Sequence, residues 1–239
     1  VNGDKKRIAQ TEVWFNPSDY RASGSSYLSD GIYVSKEDIP MFSNPRDVEF
    51  DWFRGWVHTR VRALDVMEDP TNKERLIVRF KNPDWNDYVA STSSSPTAAT
   101  PYTTCFAKNA IEFLDTPGEF YFDKNEKKLY YMLEEGESIE NSQFTVPVLD
   151  TGVFIMGKTT EDRVKNITFD GFKFTNYTIW NDFDEIASSG QGPYYRDGYN
   201  GRRIEQNFGT IYLNRAENVN FYNNVFTGLG QAALNFDDA

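Results

Sequence analysis

The chain is poor in the residues on which many catalytic and metal sites depend. Its 239 residues include one cysteine, Cys105, so no internal disulfide can form and no Cys-based zinc site can be assembled. The single histidine, His58, excludes a multi-histidine metal site and a histidine dyad. Basic residues are outnumbered, with 25 Lys and Arg against 36 Asp and Glu, for a net charge of −11. A surface of that sign repels a phosphate backbone, so nucleic acid is not an expected partner. No apolar run approaches the roughly 18 residues of a membrane-spanning helix. No Gly-rich loop stands before a helix as phosphate binding requires, and helix signals are almost missing. What remains is a chain with 39% hydrophobic and 16% aromatic residues, enough to bury a core and to decide against global disorder.

The clearest pattern lies at the C-terminal end. Gly209-Thr-Ile-Tyr-Leu-Asn214 is echoed 21 positions later by Gly230-Gln-Ala-Ala-Leu-Asn235. Between the copies lie two short strand-like pieces, Val219-Asn-Phe221 and Val225-Phe226, separated by Asn223-Asn224. A period of about twenty residues, made of short β segments with Asn and Gly at the corners, predicts a coiled β-solenoid. Alternation sends Ile211, Leu213, Val219 and Phe221 to a shared interior, and Asn suits the corners because it tolerates the left-handed region. Farther upstream, Asn166-Ile-Thr-Phe-Asp-Gly-Phe-Lys-Phe-Thr175 aligns with Asn218-Val-Asn-Phe-Tyr-Asn-Asn-Val-Phe-Thr227 at a distance of 52 residues. One coil of 21 leaves 31 residues, which must leave the solenoid as a loop around Trp180 to Asn207.

Residues 1–145 carry no such repeat and read as short strands with turn chemistry between them: a small antiparallel β barrel or sandwich. Val1-Asn-Gly-Asp4 predicts a tight turn. Asp47-Val-Glu-Phe-Asp-Trp-Phe53 alternates acidic and apolar residues, as a half-buried strand does, which places Trp52 in the core. Glu119-Phe-Tyr-Phe-Asp123 and Leu129-Tyr-Tyr-Met-Leu133 predict a hairpin around a polar loop. The expected organisation is therefore an antiparallel domain over 1–145 and parallel coils over 146–239, with a long loop at 180–207. A solenoid needs a cap, and Asp237-Asp238-Ala239 does not read as one. Further coils are accordingly expected N-terminal to Val1 and C-terminal to Ala239.

Two places could carry chemistry. The loop holds Trp180, Asp182, Asp184, Tyr194, Tyr195, Arg196, Asp197 and Arg202. Aromatic faces stack on the C–H faces of sugar rings, while carboxylates and guanidinium groups bond hydroxyls or uronates, so this mixture predicts one wall of a carbohydrate cleft. A solvated insertion satisfied by its own Asp–Arg pairs explains the same composition. The second place is Asp237-Asp238. Adjacent carboxylates at a coil corner can crowd one another and supply a general acid opposite a second carboxylate. They could also contribute to a Ca²⁺ site, or simply make the turn after Asn235-Phe236. No other cofactor is expected.

Several blocks together resemble one known group. They are Val1-Asn-Gly-Asp-Lys-Lys-Arg7, Asp38-Ile-Pro40, Asn44-Pro45, Asp47-Val-Glu-Phe50, Glu112-Phe-Leu-Asp-Thr-Pro-Gly-Glu-Phe-Tyr-Phe-Asp123, Leu129-Tyr-Tyr131 and Asn166-Ile-Thr-Phe-Asp-Gly-Phe-Lys-Phe174. The chain resembles bacterial right-handed parallel β-helix carbohydrate-active proteins, most of all glycoside hydrolase family 141-like sequences and more distantly family 110-like ones. The resemblance implies that residues 1–145 interrupt a β-helix after its first coils. It also implies a secreted or periplasmic enzyme that degrades a polysaccharide or oligosaccharide through paired carboxylates. In the 141-like pattern the catalytic aspartates belong to later coils, beyond Ala239. In the 110-like pattern an adjacent Asp pair sits on a coil, and Asp237-Asp238 corresponds to it. Three functions stay open: a glycoside hydrolase, a polysaccharide lyase on the same fold, and a non-catalytic glycan-binding or assembly domain.

Overall fold

The computed structural model describes residues 1–12, 15, 17, 19–23, 26–54, 57–82, 85, 104–178 and 208–238. They form two compact units, both built of strands. One is Lys6–Asn141; the other joins Val1–Lys5 to the described parts of Ser142–Asp182 and Glu205–Ala239. The chain thus starts in one unit, builds the other, and returns. Asn2 and Gly3 both take positive φ (52° and 91°) and Asp4 N–H donates to Val1 C=O at 2.8 Å, the expected tight turn. Asn2 N–H then donates to Gln143 C=O at 2.9 Å, which ties the outgoing segment to the returning one.

The Lys6–Asn141 unit contains β1 (Arg7–Ile8), β2 (Asp19–Ser23), β3 (Ser26–Ser35), β4 (Glu49–Arg54), β5 (Val57–Glu68), β6 (Arg75–Phe80), β7 (Cys105–Lys108), β8 (Glu119–Asp123) and β9 (Lys128–Tyr131). Six of them form an antiparallel sheet in the order β2-β3-β6-β5-β4-β7; the others form a second sheet, β1-β8-β9. The β8–β9 hairpin pairs Phe120 with Tyr131 and Phe122 with Leu129. Its loop is shaped by Asp123, whose Oδ1 accepts the N–H groups of Asn125 (2.9 Å) and Glu126 (2.8 Å). The core is aromatic. Trp52 and Phe50 come from one face of β4, and Phe80 stacks on Trp85 at 4.5 Å while meeting Phe50 edge-on at 5.2 Å.

The other face of β4 departs from expectation. A half-buried strand would leave Asp47, Glu49 and Asp51 in water, yet all three are buried, Asp47 in the 3-10 turn Pro45–Asp47 that precedes β4. They are tolerated because each is paired. Lys108 Nζ donates to Asp51 Oδ2 at 2.5 Å, and Arg60 Nε to Asp51 Oδ1 at 3.0 Å. Lys124 Nζ lies 3.6 Å from Glu49, while Tyr121 Oη and the Lys124 N–H donate to Asp47. Burial pushes the Lys108 ammonium below its ordinary pKa even though Asp51 pulls it upward.

The second unit contains β10 (Val153–Met156), β11 (Val164–Asp170), β12 (Lys173–Tyr177), β13 (Ile211–Asn214), β14 (Ala216–Tyr222), β15 (Val225–Leu229) and β16 (Leu234–Asp237). All its strand pairs are parallel, in three sheets: β10-β13-β16, β11-β14 and β12-β15. The 52-residue alignment is the physical register here: Ile167 pairs with Val219, Phe169 with Phe221, and Phe174 with Phe226. Identical residues therefore sit on one another. Phe169 stacks on Phe221 at 5.0 Å and Phe174 on Phe226 at 4.9 Å, both rings nearly coplanar in orientation. Asn takes the left-handed region at Asn166, Asn176 and Asn218, within β11, β12 and β14, and at Asn223, between β14 and β15. Asn218 Nδ2 donates to Asn166 Oδ1 at 2.6 Å, linking one turn to the next.

The expected 21-residue coil is corrected by the β13–β16 register. Ile211 pairs with Leu234 and Leu213 with Phe236, a spacing of 23. The sequence match of Leu-Asn to Leu-Asn is displaced by two residues. Such a shift keeps every side chain on its face, so alternation cannot detect it. It sets Leu234 rather than Ala232 beside the fully buried Ile211, where Leu234 packs against the core.

Candidate functional site

The parallel sheet β10-β13-β16 has an inner and an outer face. Val153, Ile211 and Leu234 line up on the inner face, as do Ile155, Leu213 and Phe236. The outer face therefore carries two ladders: Phe154–Tyr212–Asn235, and one step along, Met156–Asn214–Asp237. Gly209, at φ 73°, precedes β13, and a Cβ there would meet the Ala232 carbonyl oxygen at 3.1 Å. Just before it, Phe208 brings its ring within 5.0 Å of Tyr212 and 5.4 Å of Phe154, and Phe154 meets Tyr212 at 5.9 Å. All three contacts are edge-to-face. The outer rings stay open, Phe154 at 53% and Phe208 at 39% exposure, while the Tyr212 ring between them is buried.

Asp237 ends β16 beside this cluster. Its Oδ2 accepts hydrogen bonds from Tyr212 Oη at 2.8 Å and Asn214 Nδ2 at 2.9 Å. Asn214 Nδ2 also reaches Tyr212 Oη at 3.2 Å, which closes a triangle of three polar groups. The Tyr212 hydroxyl is held above its ordinary pKa, chiefly by burial and then by the hydrogen bond it gives Asp237. It therefore stays protonated and remains a donor. The half-buried carboxylate is fixed in place and suited to accept a proton or a hydroxyl hydrogen bond.

Asp238 faces elsewhere. Its backbone is left-handed (φ 54°), and Arg163 clamps it: Nη2 donates to Asp238 Oδ1 at 2.7 Å and Nη1 to its carbonyl at 2.8 Å. Arg163 Nε donates in turn to the Thr160 carbonyl at 2.9 Å. The adjacent carboxylates are thus directed to separate partners, Asp237 to Tyr212 and Asn214, Asp238 to Arg163.

The loop candidates Trp180, Asp182, Asp184, Tyr194, Tyr195, Arg196, Asp197 and Arg202 lie outside the described residues. Among the described residues no group of three or more His, Cys, Asp or Glu side chains could hold a metal ion. Phe154, Phe208, Tyr212 and Asn214 were not legible as a site. The available signal was the alternation of β13, which turns Tyr212 and Asn214 outward once Ile211 and Leu213 are placed inward.

Comparison with known proteins adds two likenesses. Residues 34–134 match the family model described as the GH141 insertion domain. A solved structure entitled "Glycoside hydrolase" has the same fold with a TM-score of 0.71 at 20% identity, over 96% of this chain. The chain spans 42% of that structure's length. No curated protein is a significant match.

Proposed function

We propose that this chain is part of a carbohydrate-active enzyme, a glycoside hydrolase that cleaves a polysaccharide by paired-carboxylate chemistry. The observation that carries the reading is the match of residues 34–134 to an insertion domain associated with a glycoside hydrolase family. The parallel registers of the second unit support the scaffold: a right-handed parallel β-helix over 146–239, with 1–145 as the domain that interrupts it. Substrates of polymer size favour a secreted or periplasmic enzyme.

In this reading Asp237 works as the base or nucleophile of the pair. It is oriented by the hydrogen bonds it accepts from Tyr212 and Asn214. A second carboxylate protonates the leaving oxygen, and the separation of the two carboxyl groups decides between inversion and retention of configuration. Asp238, committed to Arg163, holds the corner that presents Asp237. The test is incubation of the full-length protein with a panel of polysaccharides. New reducing ends without unsaturated, ultraviolet-absorbing products support hydrolysis. Unsaturated products would replace it with a lyase, and binding without turnover would replace it with a glycan-binding domain.

A further inference from the structure

We infer that the outer face of β10-β13-β16 is a binding surface for two neighbouring rings of an uncharged glycan, with Phe154 as the stacking platform for one and Asp237, held by Asn214 and Tyr212, as the hydroxyl partner of the other. The inference rests on the carbohydrate reading above and specifies what that site selects.

Three observations combine. Phe154 is held in a fixed pose by edge-to-face contacts to Phe208 and Tyr212, yet keeps 53% of its surface open. A rigid, exposed aromatic ring flanked by other rings costs little side-chain entropy when a flat apolar face settles on it. Phe154 on β10 and Asp237 on β16 lie two strand spacings apart and two residues along, about 11–12 Å between their backbones, close to the length of two linked sugar rings. A glycan with one ring on Phe154 therefore brings the hydroxyls of the neighbouring ring to Asp237. Asp237 presents its other oxygen, Oδ1, which has no partner among the described residues, while Oδ2 is saturated by Tyr212 and Asn214.

Charge sets the selectivity. Among the described residues, Arg163 is engaged with Asp238, and Arg215 with the carbonyls of Gly157 and Lys158 at 3.3 Å. Asp237 consequently faces the bound glycan without an ion-pair partner among the described residues, and a uronate carboxylate placed there meets a like charge. A neutral ring offers hydroxyl donors instead.

The experiment measures binding of neutral hexasaccharides, in gluco, manno and galacto configurations, and of hexagalacturonate to the full-length protein by calorimetry. The unaltered protein binds at least one neutral hexasaccharide and binds hexagalacturonate at least tenfold more weakly. Phe154→Ala weakens the neutral ligand roughly tenfold through the lost stacking. Asp237→Asn narrows the preference against hexagalacturonate. Tyr222→Ala, an exposed ring on β14 away from this face, leaves affinity unchanged, and an unshifted melting temperature in each variant excludes unfolding. Unchanged affinity in Phe154→Ala, or equal binding of hexagalacturonate by the unaltered protein, overturns the subsite. If neutral polysaccharide is still hydrolysed in that case, the hydrolase reading stands alone. If the unaltered protein neither binds nor cleaves any glycan, both fall.

Discussion

Replacing Lys108 by Met tests the charge network behind β4. Lys108 Nζ is 2.5 Å from Asp51 Oδ2, and both side chains are nearly removed from water. Truncating one partner of such a pair typically costs about 3–5 kcal/mol, because the surviving charge stays buried. Arg60 still reaches Asp51 Oδ1 at 3.0 Å, so the lower end, about 3 kcal/mol, is expected. For a domain of this size that is a fall of roughly 10 °C in melting temperature. The direction of the Lys108 shift shows that desolvation outweighs the attraction of Asp51, so the pair adds little net stability. The double variant Lys108→Met, Asp51→Leu should therefore recover to within about 1–2 kcal/mol of the unaltered protein. Urea unfolding followed by tryptophan fluorescence reads both, since Trp52 and Trp85 are buried in this core. A single variant that melts within 2 °C of the parent, or a double variant worse than the single, would refute the reasoning.

Two further predictions concern folding. Thr71 donates to Asp69 through its N–H (2.8 Å) and its hydroxyl (2.7 Å), with Arg75 also in contact, and these bonds draw the Asp69 carboxyl down to about 2. A depressed folded-state pKa stabilises above the unfolded value near 3.8 and is lost as pH falls toward 2. Asp69→Asn should remove that part of the acid destabilisation, seen as a shallower loss of melting temperature between those pH values. Asn218→Ala breaks the 2.6 Å bond to Asn166 and removes the polar side chain that lets Asn tolerate the left-handed region at φ 55°, at a cost of about 2 kcal/mol; Asn218→Gly, which tolerates that φ, should recover about half in chemical denaturation.

Some of this architecture could be read directly. The pairing of Ile167 with Val219 follows from an alignment in which bulky, branched and corner residues all coincide, so only one register satisfies them. The β13–β16 register could not be read the same way, because a two-residue slip preserves inside and outside, and only the volume of Leu234 against Ile211 separates the choices. The acid row of β4 read as solvent-facing because Lys108 and Lys124, its partners, come from distant strands and loops. The same difficulty hid the outer-face cluster. Phe154, Phe208, Tyr212 and Asp237 come from three segments, and only Asp237, through its neighbour Asp238, is marked locally as a candidate. Trp52, by contrast, was legible as core from the alternation of a single strand.

The central claim is that a carboxylate held by Tyr212 and Asn214 acts on a glycan. The most direct measurement compares kcat/KM of the full-length protein on its best polysaccharide with Asp237→Asn and Asp238→Asn. The account predicts a fall of about 10²–10⁴-fold for Asp237→Asn and only a few-fold for Asp238→Asn, whose carboxylate serves Arg163. Equal and minor losses in both variants would contradict it.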